Sequence, residues 1–280
     1  MLSLCKSHIQ KDQTVCTKKH AAVIVEHRRH ELLHGVVKNV TKVLGEEWQL
    51  YIFTHDPEFV AGLNARVFVL DRPNLDAEEY SQLLTSVEFW NLINEELVLI
   101  FQTDSFMFEH SCRSIMDYSE YPFIGGIYFY RWVELENGSF SGKITWQDAS
   151  QEGNDVCDLP QAGFAICGGF SLRHRSVMLR CLHEISQDDV MRYRRQRGHV
   201  WPFENMAPFE DVYFSHAVEM LGFKMPSMEH CLNFCLNTPY KKLPKDPLAM
   251  HNINKDCWDW PLIHDVYYPF VASLLMPPVN

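Results

Sequence analysis

The sequence predicts an α/β protein of one domain, with a Rossmann-like, mostly parallel central sheet flanked by helices. Three observations predict it. The chain has 280 residues, 46% hydrophobic and 22% charged, an ordinary globular balance that excludes disordered, collagen-like and coiled-coil chains. Its first 105 residues hold four short apolar runs, rich in β-branched and aromatic residues. Stretches with apolar residues at helical spacing lie between them, the signature of a parallel sheet covered by helices.

The elements follow in order. Residues 1–20 read as a polar arm with Lys6, Lys11, Asp12, Lys18 and Lys19. Ala21 to Val25 is continuously apolar, as a strand buried on both faces requires. From Glu31 to Leu44, Leu33, Val36, Val37, Val40, Val43 and Leu44 repeat at helical spacing, and Gly45 supplies a stop. Leu50–Phe53 and Ala65–Leu70 are the second and third strands. Asp76 and Glu79 form a capping-box pattern that opens a helix expected to run to about Asn94. Leu97–Phe101 is the fourth strand. Beyond it the pattern loosens. Gly125-Gly126 precedes an aromatic run, and residues 137–163 read as loop. Val177, Cys181, Leu182 and Ile185 fit a helix, and so does the stretch from Glu210-Asp211 to Gly222. The tail from Pro239, rich in Pro and Trp, is expected to wrap the core. No linker divides the chain. The expected organisation is the arm and one domain over 21–280, its first half (about 21–110) and second half (about 111–280) carrying different substrates.

The formal charge of −11 makes duplex nucleic acid a poor partner, because the net field repels phosphate backbones. A small anionic ligand needs only local positive charge and stays open. No run approaches the ~18 apolar residues of a membrane helix. Residues 1–20 lack the apolar stretch of a secretory signal. The nine cysteines include no Cys-x-x-Cys pair, and reduced thiols in a cytoplasmic protein are the expectation. Glycosylation sequons at Asn39 and Asn137 carry no meaning outside the secretory path.

Three patterns carry chemistry, each beside a plainer reading. His30-Glu31-Leu-Leu-His34 matches a zinc-peptidase signature, in which two His at i and i+4 share a metal and Glu activates its water. The extended pattern fails, because Val37 and Val40 stand where Gly and a third His belong; an exposed helix start is the alternative. Leu97–Phe101 runs straight into Gln102-Thr103-Asp104-Ser105, and an Asp fixed at a strand end can hold a divalent cation or cap a turn. Glu210-Asp211 opens a helix, where acids favour the dipole or serve as a general base. Arg192, Arg194, Arg195 and Arg197 form a solvated face or a phosphate contact. Gly168-Gly169 permits close backbone approach or simply a tight turn. No dinucleotide fingerprint, P-loop or nucleophile elbow occurs.

Taken together, Ala21–Arg28, Trp48–His55, Leu99–Ser105, Tyr121–Gly125, Gly168–Arg173 and Glu210–Phe214 resemble a GT-A-fold, glycosyltransferase-like family scattered among bacteria, plants and large DNA viruses. The resemblance spans about residues 21–255. It implies a nucleotide-sugar donor, UDP preferred and GDP second, lying against Val25, Glu26, Arg28, Thr103, Asp104, Ser105, Gly168 and Gly169. It implies a divalent metal, Mn2+ or Mg2+, at Asp104 and His251. Asp104 matches the last acid of the Asp-x-Asp motif, while Gln102 replaces the first, a departure that bears on the metal's affinity. Asp211 matches the general base of inverting enzymes, with Glu210 as substitute. The transferred sugar is a pentose such as xylose or a hexose, and the acceptor a glycan hydroxyl. Trp201, Trp258 and Trp260 are candidates to stack on sugar. A zinc peptidase and a sugar- or nucleotide-binding module without catalysis stand as the alternatives.

Overall fold

A computed structural model describes residues 18–128, 130–134, 140–144, 165–196, 209–237 and 246–251. The arm before residue 18, Arg197, the three Trp candidates and most of the tail lie outside these residues.

The four apolar runs form strands β1 (His20–Val25), β2 (Trp48–Thr54), β3 (Arg66–Val69) and β4 (Leu97–Phe101). A two-residue strand β5 (Phe106–Met107) follows, then β6 (Phe123–Tyr128), β7 (Tyr130–Glu134), β8 (Phe140–Ile144), β9 (Ala165–His174), β10 (Cys235–Leu236) and β11 (Ala249–Met250). The central sheet has the order β3-β2-β1-β4-β9-β6. β1 to β4 are mutually parallel, and β9 runs antiparallel between β4 and β6. The fold class is thus the expected one.

Period-two alternation divides the core. Ala22, Ile24, Leu50, Ile52, Leu99 and Phe101 face one layer with helix α1 (Leu33–Leu44) and α7 (Met228–Phe234). Ala21, Val23, Val25, Tyr51, Phe53, Val98 and Ile100 face the other. That second layer holds α2 (Ala77–Leu84), α3 (Val87–Asn91), α4 (Arg175–Glu184), α5 (Gln187–Gln196) and α6 (Glu210–Met220).

Several expectations are corrected. α1 begins at Leu33 rather than Glu31, because the residues before it form a turn in which the Leu32 N–H donates to His30 Nδ1 at 3.2 Å. It stops where expected, with Gly45 at φ 80° donating its N–H to Thr41 O. The Asp76–Glu79 capping box is present. The expected helix to Asn94 is two, because the Thr85 hydroxyl turns back onto Ser81 O at 2.7 Å and Ser86 caps a new helix at Phe89 N. The segment read as loop from 137 contains β8, paired antiparallel with β7. Asn39 is buried, exchanging hydrogen bonds with the Met107 backbone at 2.8 and 3.0 Å, so it clamps β5 to α1 and offers no sequon to solvent. Among the described residues Cys112, Cys167, Cys181, Cys231 and Cys235 are free thiols. Among the described residues no helix is long and apolar enough to cross a membrane.

Candidate active site

Strand register explains why the candidate residues meet. β1 and β4 pair with Ile24 opposite Phe101, so the residues just past both strands, Glu26 and Thr103, come level. The Thr103 hydroxyl donates to Glu26 Oε2 at 3.4 Å. β9 pairs with β4 through Phe170 and Phe101, which brings Gly169 beside Gln102. β11 pairs with β5 through Met250 and Phe106, and so delivers His251 to the turn that ends in Ser105. The His251 N–H fixes the position by donating to Leu236 O at 2.8 Å.

The turn after β4 is rigid for local reasons. The fully buried Ser105 hydroxyl accepts from Gln102 N at 3.1 Å and donates to Gly169 O at 3.3 Å. Ser105 therefore shapes the site and ties it to β9. Val25 buries its side chain in the second core layer, which leaves its backbone alone at the strand end.

Glu26 is buried and accepts three hydrogen bonds from Arg28: from the backbone N at 3.0 Å, Nε at 2.9 Å and Nη2 at 3.1 Å. Burial pushes the Glu26 carboxyl up, but the Arg28 bonds outweigh it and hold it below the ordinary value. Glu26 thus orients Arg28, whose side chain keeps 56% of its surface exposed and able to meet an anion.

Asp104 and His251 form the second feature. His251 Nε2 lies 3.2 Å from Asp104 Oδ1 and 3.0 Å from Gln102 Oε1. Its Nδ1 faces Asn237 Oδ1 at 2.7 Å and Cys167 Sγ at 3.4 Å. Burial disfavours the imidazolium, yet Cys167 and Asp104 together push the His251 pKa up to about 10. Burial likewise raises Asp104, and His251 more than reverses it, leaving Asp104 lowered. With His251 neutral, as ligation requires, one nitrogen, one carboxylate oxygen and one amide oxygen converge here. Such a mixed nitrogen–oxygen set could hold a divalent cation. Among the described residues, no three His, Cys, Asp or Glu side chains cluster as metal ligands, and the third potential donor here is the Gln102 amide oxygen.

Glu210 and Asp211 open α6 with different environments. Glu210 is buried in a bidentate pair with Arg173, at 2.7 and 3.2 Å. Arg173 has no exposed surface, bonds also to Ser171 Oγ and Gly168 O, and lies between the Phe123 and Phe214 rings. Asp211 has no salt-bridge partner among the described residues; it accepts from Val212 N at 2.7 Å and Gly168 N at 3.4 Å. Burial, and then the neighbouring Glu210 charge, push its pKa up to about 7. A carboxylate poised near neutrality can take a proton, whereas one clamped by Arg cannot readily do so.

Gly168 and Gly169 run between these features. A Cβ on Gly168 would lie 2.0 Å from Glu210 Oε1, and one on Gly169 2.1 Å from His251 Nε2. Only glycine lets β9 pass so close to both.

The structure thus assembles Glu26, Arg28, Thr103, Asp104, Ser105, Gly168, Gly169, Asp211 and His251. It adds Arg173, Asn237 and Cys167, which sequence reasoning gave no role. Asn237, a polar residue straight after the apolar β10, was the one readable signal. Other expectations separate from the site. His34 Nε2 bonds Phe59 O at 2.8 Å and its ring packs edge-on to Phe59, while His30 Nδ1 accepts from Leu32. Helix α1 begins between the two, so the zinc-peptidase geometry is not formed. Arg194, read as part of a solvated face, is buried with Nη1 3.0 Å from His216 Nε2.

Comparison with known proteins adds the fold's relatives. The galactosyltransferase LgtC, solved with donor and acceptor sugar analogues, superposes with a TM-score of 0.50 at 13% identity, covering 92% of this chain and 98% of its own. The glycosyltransferase GlyE of Streptococcus pneumoniae TIGR4 gives 0.46 at 11% identity, over 93% of this chain and 61% of that one. The bifunctional IspDF of Campylobacter jejuni gives 0.40 at 9%, over 74% and 48%. The first likeness establishes a GT-A-like fold. A search of curated proteins finds no match. A family model matches residues 65–251, a span that runs from β3 through the Gln102–Ser105 turn, β9 and α6 to His251, and the chain therefore belongs to the family described as "Protein of unknown function (DUF5672)".

Proposed function

We propose that the protein is a glycosyltransferase that moves a sugar from a nucleoside diphosphate donor to a hydroxyl of a glycan acceptor, with inversion. One observation carries this reading: a carboxylate poised near neutrality, Asp211, stands across Gly168-Gly169 from the Gln102–Asp104–His251 group. Transfer needs those two functions on opposite sides of one sugar ring.

Arg28, oriented by Glu26, holds the anionic end of the donor. Asp211 accepts the proton of the acceptor hydroxyl. The freed oxygen attacks the anomeric carbon, and the bond from that carbon to the phosphate oxygen breaks, releasing the diphosphate. Asp104, His251 and Gln102 would hold a divalent cation, which supplies charge neutralisation to the departing diphosphate. The 45% exposure of the Asp104 side chain leaves it open to such an ion.

The test is a panel of UDP- and GDP-sugars, read by donor hydrolysis and thermal shift, with and without manganese. Stabilisation by one nucleoside diphosphate and slow hydrolysis of its sugar is the expected result. No stabilisation by any of them overturns the reading. A donor that binds and is never cleaved, with any acceptor, would indicate the non-catalytic module instead, which the amide of Gln102 in place of a carboxylate favours.

A further inference from the structure

Tyr80 stands on α2, the helix that the Asp76–Glu79 capping box starts. Its neighbour Ser81 accepts the Glu210 N–H at 3.3 Å, so this face of α2 is pinned to the first turn of α6. The Tyr80 ring is half-buried, but its hydroxyl is shielded from solvent and makes no hydrogen bond among the described residues. The Gln102 amide lies beside it without reaching hydrogen-bond geometry, and the charges of Glu210, Arg173 and Asp211 all act on it.

Each of those neighbours has other partners. Glu210 and Arg173 hold one another, Gln102 Oε1 lies against His251, and Asp211 accepts two backbone N–H groups. A shielded phenol that can both donate and accept is costly to leave unpaired, and proteins retain such groups where a ligand completes them. The location is specific. Gln102 belongs to the Asp104–His251 side and Asp211 to the base side, with Gly168-Gly169 between them. The only part of a donor that fits between a departing diphosphate and an attacking oxygen is the sugar ring.

We propose that Tyr80 is a specificity-determining residue whose hydroxyl hydrogen-bonds a hydroxyl of the sugar being transferred. This rests on the transferase reading above. It makes the transferred group an unmodified, hydroxyl-bearing sugar rather than one deoxygenated at the position Tyr80 meets.

The experiment uses Tyr80→Phe in the full-length protein, with UDP-glucose, UDP-galactose, UDP-xylose and their monodeoxy analogues as donors. Because the hydroxyl has no hydrogen-bond partner among the described residues, the variant is expected to keep its melting temperature. UDP alone should bind both proteins within about twofold, since it lacks the sugar. For the preferred donor, kcat/KM should fall about tenfold, the worth of one hydrogen bond. On the monodeoxy donor lacking the recognised hydroxyl, both proteins should react within about twofold of each other, closing the cycle.

Three results overturn the proposal: unchanged kcat/KM on the preferred donor, an equal loss on every monodeoxy donor, or a cycle that closes on a deoxygenated acceptor. A fall in melting temperature that accompanies an equal loss on all donors identifies a structural role. An unaltered protein that neither binds nor cleaves any member of the UDP- and GDP-sugar panel removes the transferase reading itself. An active protein indifferent to Tyr80→Phe removes Tyr80 alone.

Discussion

Asp211 and Glu210 are neighbours in the chain and opposite in duty, and substitution separates them. Asp211→Asn keeps the side chain's shape and removes its proton acceptor, so turnover should fall about 10²–10⁴-fold while donor binding is little changed. The same variant has a stability signature. The Asp211 pKa rises from 3.8 to about 7 on folding, so its contribution is favourable below pH 4 and is lost as pH rises through 7. Asn escapes that loss. Melting temperatures should agree at pH 3.5, and at pH 8 the variant should be the more stable, by on the order of 1–3 kcal/mol. In the unaltered protein, kcat/KM should climb with pH on a limb near 7 instead of near 4. Glu210→Gln should act on stability first, because it leaves the buried Arg173 without its counter-charge at a cost of about 3–5 kcal/mol. Denaturant midpoints measure this, and a silent Glu210→Gln would remove the ion pair's structural role. Asp104→Asn should weaken donor binding as well as turnover, and excess manganese should restore part of both; isothermal titration with UDP checks it.

At the scale of the element, the β9 strand tolerates little at its two glycines. Gly169→Ala would set a methyl group 2.1 Å from His251 Nε2 and 2.7 Å from Gln102 Oε1, so it should abolish donor binding with the sheet still folded. Gly62→Ala, with nothing within 4 Å of its Cβ, should change neither. Circular dichroism and a donor thermal shift decide both. The strands β1, β2 and β4 were legible because burial on both faces makes them continuously apolar. The break at Thr85-Ser86 was hidden, because both residues sit inside an unbroken amphipathic pattern and act through hydroxyls that bond the backbone. β7 and β8 were obscured by surrounding glycines, and the antiparallel course of β9 by nothing local at all, since direction is a property of topology.

For the molecule as a whole, legibility follows sequence distance. Glu26, Thr103 and Asp104 announce themselves because each follows a readable strand. The Arg173–Glu210 pair spans 37 residues and His251 reaches Gln102 across 149, contacts no local pattern encodes. Global cooperativity has its own test. Cys181, Cys231 and Cys235 are buried, and burial pushes the first two thiols up to about 12 and the third well above its ordinary value. At pH 8 all three should resist iodoacetamide in the native protein and become labelled together across the urea transition, as mass spectrometry would show. Labelling of one well before the others would divide the core into separate units.

The β5–β11 pairing bears on the order of biosynthesis. Met250 reaches back to Phe106, so the ribosome must make some 140 further residues before His251 can join Asp104. The parallel strands can condense early, as their residues emerge. A nascent chain that already carries its sheet therefore still lacks this side of its centre, and chemistry at the site begins only once the late segment has docked.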